Sequence, residues 1–335
     1  MSGSGIGIGI LGAGDFGATH AKAMREVDGV RLVAACRGDV SALDAFTAEY
    51  GGKGYADWRD LLADKSVDAV VIAAPHALHE EMAIGAAEAG KHILLEKPMA
   101  PTAAACDAIN AAVARNGVTL QVGHMIHFAK PVMAARKVIE EGTIGRPLMG
   151  SSWMIKLWME HNRRPWHLKY GTGGGMLMTA GIHALDRLVW LMNDEVASVS
   201  GMLGAKSHDQ EADDTALLGL RFKRGGMGQV QSVGYRTGAG SFAMDLVCEG
   251  GTLRIDMDRG TMLGRDTKWT ELPDTVEANW MHHAVRREWE GFRDALRGTA
   301  RVQVTGAYGR NIIAIIEAAY ASNLSHKEET IAHVR

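Results

Sequence analysis

The sequence predicts an α/β protein, with a doubly wound parallel sheet over 1–123 followed by an α+β domain over 124–335 that carries a large, mostly antiparallel, open sheet. Three observations carry this. Apolar runs of strand length alternate with helical stretches from Ile6 to Val122. A G-x-G-x-x-G, Gly12 to Gly17, separates the first apolar run from the first helix. From Val196 onward, strand-like runs succeed one another across short glycine or charged turns.

The composition fits a soluble globular chain: 335 residues, 47% hydrophobic and 22% charged. This length suffices for two domains whose cores need no disulfide or metal staple. The net charge of −3, without a long basic run, argues against nucleic acid and anionic membrane and leaves a small molecule as the partner. Cys36, Cys106 and Cys248 are scattered and odd in number, which fits neither a disulfide framework nor a cysteine metal site. No metal is expected. Met1 to Ser4 lacks the basic start of a secretory signal, and no apolar run approaches the roughly 20 residues of a membrane span, so a cytoplasmic location is expected.

The first run, Ile6 to Leu11, reads as a strand, and the glycines after it read as a dinucleotide site. Gly12 would allow the tight turn, Gly14 a close approach of backbone to pyrophosphate, and Gly17 close packing of helix on strand. Asp15 and Phe16 belong to the same loop, and the phosphates would sit on the unpaired N–H groups of the helix start. The second strand, Val30 to Cys36, ends at Arg37, where an NAD site usually places an acid against the ribose 2′-hydroxyl. A guanidinium pairs with a 2′-phosphate instead, so Arg37 favours NADP, with NAD remaining possible.

Ala42 to Tyr50 and Trp58 to Ala63 read as helices, and Val67 to Ala74 as a strand buried on both faces. In such a sheet ligands sit at the carboxyl ends of strands, so Pro75-His76-Ala77-Leu78-His79 is expected at the cofactor. Pro75 and His79 are cofactor candidates, and the alternative for His76 and His79 is a helix start in water. Glu80 to Ala89 is a helix closed by Gly90, and the strand His92 to Leu95 runs into Glu96-Lys97-Pro98. Thr102 reads as the N-cap of a helix to Asn116, before Gly117 and the strand Val118 to Val122.

Further on lie Gly173-Gly174-Gly175-Met176-Leu177 and Gly181-Ile182-His183-Ala184-Leu185-Asp186, and then Asp213-Asp214-Thr215. Together with the glycine fingerprint and Glu96-Lys97-Pro98, this ordered set resembles the Gfo/Idh/MocA family. The resemblance implies that Lys97 stands beside the nicotinamide and the reacting hydroxyl, with Glu96 next to it at the cofactor. An ammonium there would stabilise a developing alkoxide. The sequence departs from the family pattern twice. His127 stands in Gly123-His124-Met125-Ile126-His127-Phe128 where the family commonly has arginine, and Thr179 stands where it usually has aspartate. His124 is a substrate candidate or a packing residue.

Pro131 to Glu141 reads as an amphipathic helix, followed by a strand from Leu148. Trp153, Trp158, Trp166 and Tyr170 alternate with basic residues that include Arg163 and Arg164, a density suited to stacking on sugars and clamping anions. Trp158, Arg163 and Trp166 are therefore substrate candidates, the alternative being a packed strand and a solvated loop. Met176 to Met192 reads as one helix on which Thr179, His183, Asp186 and Arg187 form a polar stripe. His183 is the candidate acid–base and Thr179 a hydrogen-bonding partner, both facing substrate. Strands are expected at Val196 to Leu203, Thr215 to Phe222, Met227 to Tyr235, Phe242 to Cys248 and Thr252 to Met257. His282 to Leu296 and Ala307 to Ser322 close the chain as helices. An open sheet with one uncovered face calls for a homodimer or homotetramer.

These expectations converge on hydride transfer between nicotinamide and a secondary alcohol or carbonyl of a sugar, polyol or cyclic diol. Redox-assisted glycoside cleavage and a cofactor-binding ligand sensor are the alternatives.

Overall fold

A computed structural model describes residues 5–161 and 163–332; Met1 to Ser4 lie outside the described residues. The chain forms two compact units, one from the residues up to His124 with Val285–Arg310, the other from Met125–Ala284 with the residues after Arg310.

In the first unit, β1 (Ile6–Leu11), α1 (Asp15–Met24), β2 (Val30–Cys36), α2 (Val40–Tyr50), β3 (Lys53–Tyr55), α3 (Trp58–Leu62) and β4 (Ala69–Ile72) follow in order. Then come α4 (His79–Glu88), β5 (His92–Glu96), α5 (Ala103–Asn116) and β6 (Leu120–Gly123). The strands pair in parallel in the order β3-β2-β1-β4-β5-β6. The order reverses between β1 and β4, and the crevice at such a reversal is where doubly wound sheets bind ligands. Ile8, Ile10, Val70, Val71, Ile93 and Leu94 are fully buried, as expected of strands covered on both faces. Thr102 caps α5 by accepting from the Ala105 N–H, and Gly117 ends it at φ 64°.

The second unit contains α6 (Lys130–Glu140), β7 (Pro147–Leu157), a π turn at Leu177–Gly181, α7 (Ile182–Met192), β8 (Val196–Gly204), β9 (Thr215–Phe222), β10 (Met227–Tyr235) and β11 (Ser241–Cys248). β12 (Gly251–Asp256), β13 (Gly260–Arg265) and β14 (Lys268–Glu271) extend the run. Finally α8 (Trp280–Leu296), α9 (Gly306–Ser325) and β15 (Glu329–Thr330) close the described chain. Nine strands form one sheet in the order β14-β13-β12-β11-β7-β10-β9-β8-β15. Every pairing is antiparallel except β7 with β10. Period-2 burial separates its faces: Gly150, Ser152 and Met154 of β7 point inward beneath α7, while Met149 and, on other strands of the sheet, Met202, Met227 and Val247 are exposed.

The structure corrects the sequence reading at particular points. The stretch expected as one helix from Met176 begins as a π turn in which the Ile182 N–H reaches back to the Leu177 carbonyl. This turn is wider than an α turn, so Thr179 does not stack one α turn ahead of His183. The strands run on to Glu271. The segment Val285–Arg310 returns to the first unit, a discontinuity that a single boundary near Gly123 does not express. There Trp289 and Phe292 are fully buried, and the Val304 carbonyl accepts from the Val122 N–H of β6 at 3.0 Å.

Candidate active site

The glycine loop is built as the spacing requires. Gly12 has φ 102°, and a Cβ there would lie 2.5 Å from the Ala73 carbonyl oxygen at the end of β4. A Cβ on Gly17 would lie 2.4 Å from the Gly12 carbonyl oxygen. At Gly14, by contrast, an added Cβ meets nothing within 4 Å. Gly12 and Gly17 are therefore needed by the protein itself, whereas Gly14 leaves an open cradle at the start of α1. Gly14 is the N-cap of α1 and offers no side-chain oxygen to the N–H groups of the first turn, which contains Asp15 and Phe16. Such a terminus suits a pyrophosphate.

Arg37 follows β2 and donates from Nη1 to the Ala13 carbonyl in that loop at 3.1 Å. The nearby acid, Asp39, accepts from the Ala42 N–H as the N-cap of α2. At the carboxyl ends of β4 and β5, Pro75 precedes a short turn, and His76 and His79 are both buried. His79 is not a solvated helix-start residue. Its Nδ1 and Nε2 each lie 2.9 Å from a backbone carbonyl, Pro98 and Ala74 respectively, so it braces the two loops against each other. Burial holds its pKa below the usual imidazole range, against the pull of those carbonyls and of Glu96. Glu96 is buried, accepting from His20 Nε2 at 3.0 Å and from the Lys97 N–H at 3.3 Å. Lys97 is half-buried and joined to Pro98 by a cis peptide. His124 is buried, edge-on to the Tyr308 ring with centroids 6.0 Å apart.

In the second unit, Thr179 lies in the π turn and His183 in the first turn of α7, both buried; the Phe242 ring stands 6.4 Å from the imidazole. Asp186 Oδ1 lies 2.8 Å from His127 Nε2. Arg187 is fully buried, donating to Ser152 Oγ and the Ala243 carbonyl with its guanidinium 4.2 Å from the Phe242 ring centroid. Burial pulls its pKa below the ordinary guanidinium range, while Asp256 and Asp186 oppose that pull.

Sequence reasoning missed what anchors the π turn. Asp213 Oδ2 accepts the Leu177 N–H at 2.8 Å, and its backbone carbonyl accepts the Met176 N–H at 2.8 Å. A Cβ on Gly175, which has φ 97°, would lie 2.4 Å from Asp213 Oδ1. Burial pushes the Asp213 carboxyl up to about 6. Asp214 accepts from the N–H groups of Lys206, Ser207 and His208. Two adjacent aspartates before a strand were the available signal.

The aromatic and basic segment divides differently from its composition. Trp158 is fully buried, donating to Gln210 Oε1 at 2.8 Å, and the Arg163 guanidinium stands over its ring at 4.4 Å. Arg163 is held by the Trp158 carbonyl and Glu160. Trp158 therefore has no free face for a sugar, and with Arg163 it forms an internal stack. Trp166 is half-buried and stacks on His167 with centroids 3.6 Å apart.

The model of the oxidoreductase family with an NAD-binding Rossmann fold matches residues 6–124. The GFO/IDH/MocA C-terminal domain model matches residues 132–254. An uncharacterized oxidoreductase, YrbE, of Bacillus subtilis is 32% identical over 67% of this chain and 66% of its own length. An inositol 2-dehydrogenase of Salmonella typhimurium is 33% identical over 57% of this chain and 56% of its own length. The WlbA dehydrogenase of Bordetella pertussis, solved with NADH and UDP-GlcNAcA, has a TM-score of 0.88 over all of both chains at 24% identity, a likeness of fold. With the N-terminal and C-terminal domain models matched in order along the chain, it belongs to the GFO/IDH/MocA family of oxidoreductases.

Proposed function

We propose that the protein is a nicotinamide-dependent dehydrogenase that oxidises a secondary alcohol of a sugar, polyol or cyclic diol, or reduces the matching carbonyl. The observation that carries this is the open cradle at Gly14, at the sheet's reversal, with Lys97 two strands away at the carboxyl end of β5. The relatives named inositol 2-dehydrogenase and 1-carboxy-3-chloro-3,4-dihydroxycyclohexa-1,5-diene dehydrogenase support the substrate class.

The residues present fit a dinucleotide: Gly12 and Gly17 shape the loop, Gly14, Asp15 and Phe16 present backbone to the diphosphate, and Pro75 borders the same crevice. The bound nicotinamide supplies the hydride acceptor. Lys97 Nζ donates to the substrate oxygen and stabilises negative charge as the C–H bond breaks. The imidazole of His183 takes the hydroxyl proton, and Thr179 orients the substrate by hydrogen bonding. Arg37, with its donors at the loop, selects a 2′-phosphate and hence NADP over NAD. The exposed apolar face of the nine-stranded sheet pairs with a second copy of the chain.

The test is absorbance in the reduced-nicotinamide band with NADP and NAD in parallel, across sugars, inositols, sugar acids and cyclic diols. Turnover with one class, lowered about 10²–10⁴-fold by Lys97→Ala or His183→Ala, supports the reading. Silence across the panel by protein that binds cofactor tightly refutes it.

A further inference from the structure

Beneath the loop that carries Lys97 lies a group of side chains to which the hydride reaction gives no task. His20 of α1, Glu96 of β5 and Glu288 of α8, all buried in the first unit, bring one polar atom each within 4.8 Å of one another. Glu288 is wholly buried, and neither of its carboxyl oxygens has a hydrogen-bond partner among the described residues.

Three such atoms could suit a divalent cation, but Trp289 argues against it. Its indole N–H donates to His20 Nδ1 at 3.0 Å, and an indole nitrogen only donates. His20 Nδ1 is thus the acceptor and the ring proton sits on Nε2, which gives it to Glu96 Oε1. A metal on Nε2 would have to displace that proton while Trp289 blocks Nδ1 from regaining one. An imidazolate would result.

Two carboxylates this close in a dry core do not both ionise, so one of the two holds a proton. The donors decide which group carries it. Glu96 receives two N–H groups, from His20 and from the Lys97 backbone, whereas Glu288 receives none. From β6, Gln121 turns its amide to the Glu288 backbone carbonyl. Burial, reinforced by the charge of Glu96, raises the Glu288 carboxyl well above its ordinary range.

We propose that Glu288 is a positioning residue: held as a neutral carboxylic acid, it leaves Glu96 the single carboxylate of the cluster, fixed between His20 and the backbone N–H of Lys97. An ionised Glu288 would repel Glu96 and loosen the lysine's backbone at its root. The consequence for turnover rests on the dehydrogenase reading above, while the protonation state and the hold on Lys97 do not, and the test needs no substrate.

The full chain, labelled with ¹⁵N-lysine, is compared with Glu288→Gln and Glu288→Ala at neutral pH, the Lys97 amide resonance being identified by its loss in Lys97→Arg. The neutral isostere Gln is expected to leave that resonance in place and Ala to displace it. In the infrared, wild type at about pH 8 should show a protonated-carboxyl band that Glu288→Gln lacks. Thermal midpoints should favour Glu288→Gln by a margin of several degrees that grows as pH rises from about 5 to about 9. A Lys97 resonance displaced by Gln, or unmoved by both variants, overturns the proposal. So does stoichiometric metal in the wild-type protein. Should neither variant fold, the wild-type infrared band decides: its absence at about pH 8 overturns the proposal and its presence supports it.

Discussion

Asp186 Oδ1 of α7 and His127 Nε2 lie 2.8 Å apart, and neither side chain meets solvent. The His127 ring also stacks on Trp190, with centroids 4.2 Å apart. A histidine thus stands against the carboxylate of the helix that carries His183. His127→Ala removes a hydrogen-bonding partner from a wholly buried carboxylate, and the expected loss of stability is about 3–5 kcal/mol. Urea unfolding measures it. A cost below about 1 kcal/mol would show that the pair does not hold α7.

The glycine loop separates two kinds of damage. Gly12→Ala forces a positive φ and a clash with the Ala73 carbonyl, so it should cost about 1–3 kcal/mol of stability along with cofactor binding. Gly14→Ala meets no protein atom and should leave the unfolding midpoint unchanged while weakening cofactor binding at least about tenfold. Calorimetric unfolding and cofactor titration on the same samples distinguish the two. Unaltered affinity in Gly14→Ala would place the dinucleotide elsewhere.

Arg37 has a carbonyl partner in the loop, whereas Asp39 is occupied in capping α2. Replacing Arg37 with Ala should lower affinity for NADPH at least about tenfold, the worth of a charge-assisted contact, and leave NADH nearly unchanged. Fluorescence titration with both cofactors reads the ratio. Equal losses for the two would remove the 2′-phosphate from the explanation.

Asp213 gives folding a proton dependence. Its carboxyl rises from 3.8 to about 6 through burial, so the folded state holds the proton more tightly than the unfolded one. That contribution is full below about pH 4 and is lost as pH rises through about 6, to a total of about 3 kcal/mol at most. Asp213→Asn removes it. The difference in stability between variant and wild type should therefore change inside that window and be level above it, as denaturant unfolding at stepped pH would record. A difference that stays level from about pH 4 to about pH 7 would contradict the assignment.

The parts legible in the sequence are those specified by neighbours in the chain. Thr102 and Gly117 bracket α5 as cap chemistry requires, and Thr215–Phe222 and Met227–Tyr235 have the bounds that alternation and the Lys223 to Gly226 turn imply. The illegible parts depend on distant partners. The π turn at Leu177–Gly181 is held by Asp213, 36 residues on. The parallel pairing of β7 with β10 joins strands separated by two others in sequence, and alternation does not record direction. Trp158 and Arg163 look like substrate residues by type and are an internal stack by geometry, because composition does not say which face of a ring is already covered. The same holds for Glu288, which in sequence is one glutamate among the charged residues of an amphipathic helix.

The discontinuity of the first unit bears on how the chain is made. Trp289, Phe292 and Val304 belong to its core, yet a ribosome delivers them after every strand of the second sheet from β7 through β14. The nascent N-terminal sheet therefore waits, with β6 lacking its Val304 partner and His20 lacking Trp289, until that later segment has been made. For this protein, growth from the N-terminus does not yield a finished N-terminal domain first. A stalled or truncated product ending before Val285 leaves the cofactor-binding half with an open seam, a natural mark for chaperones and proteases.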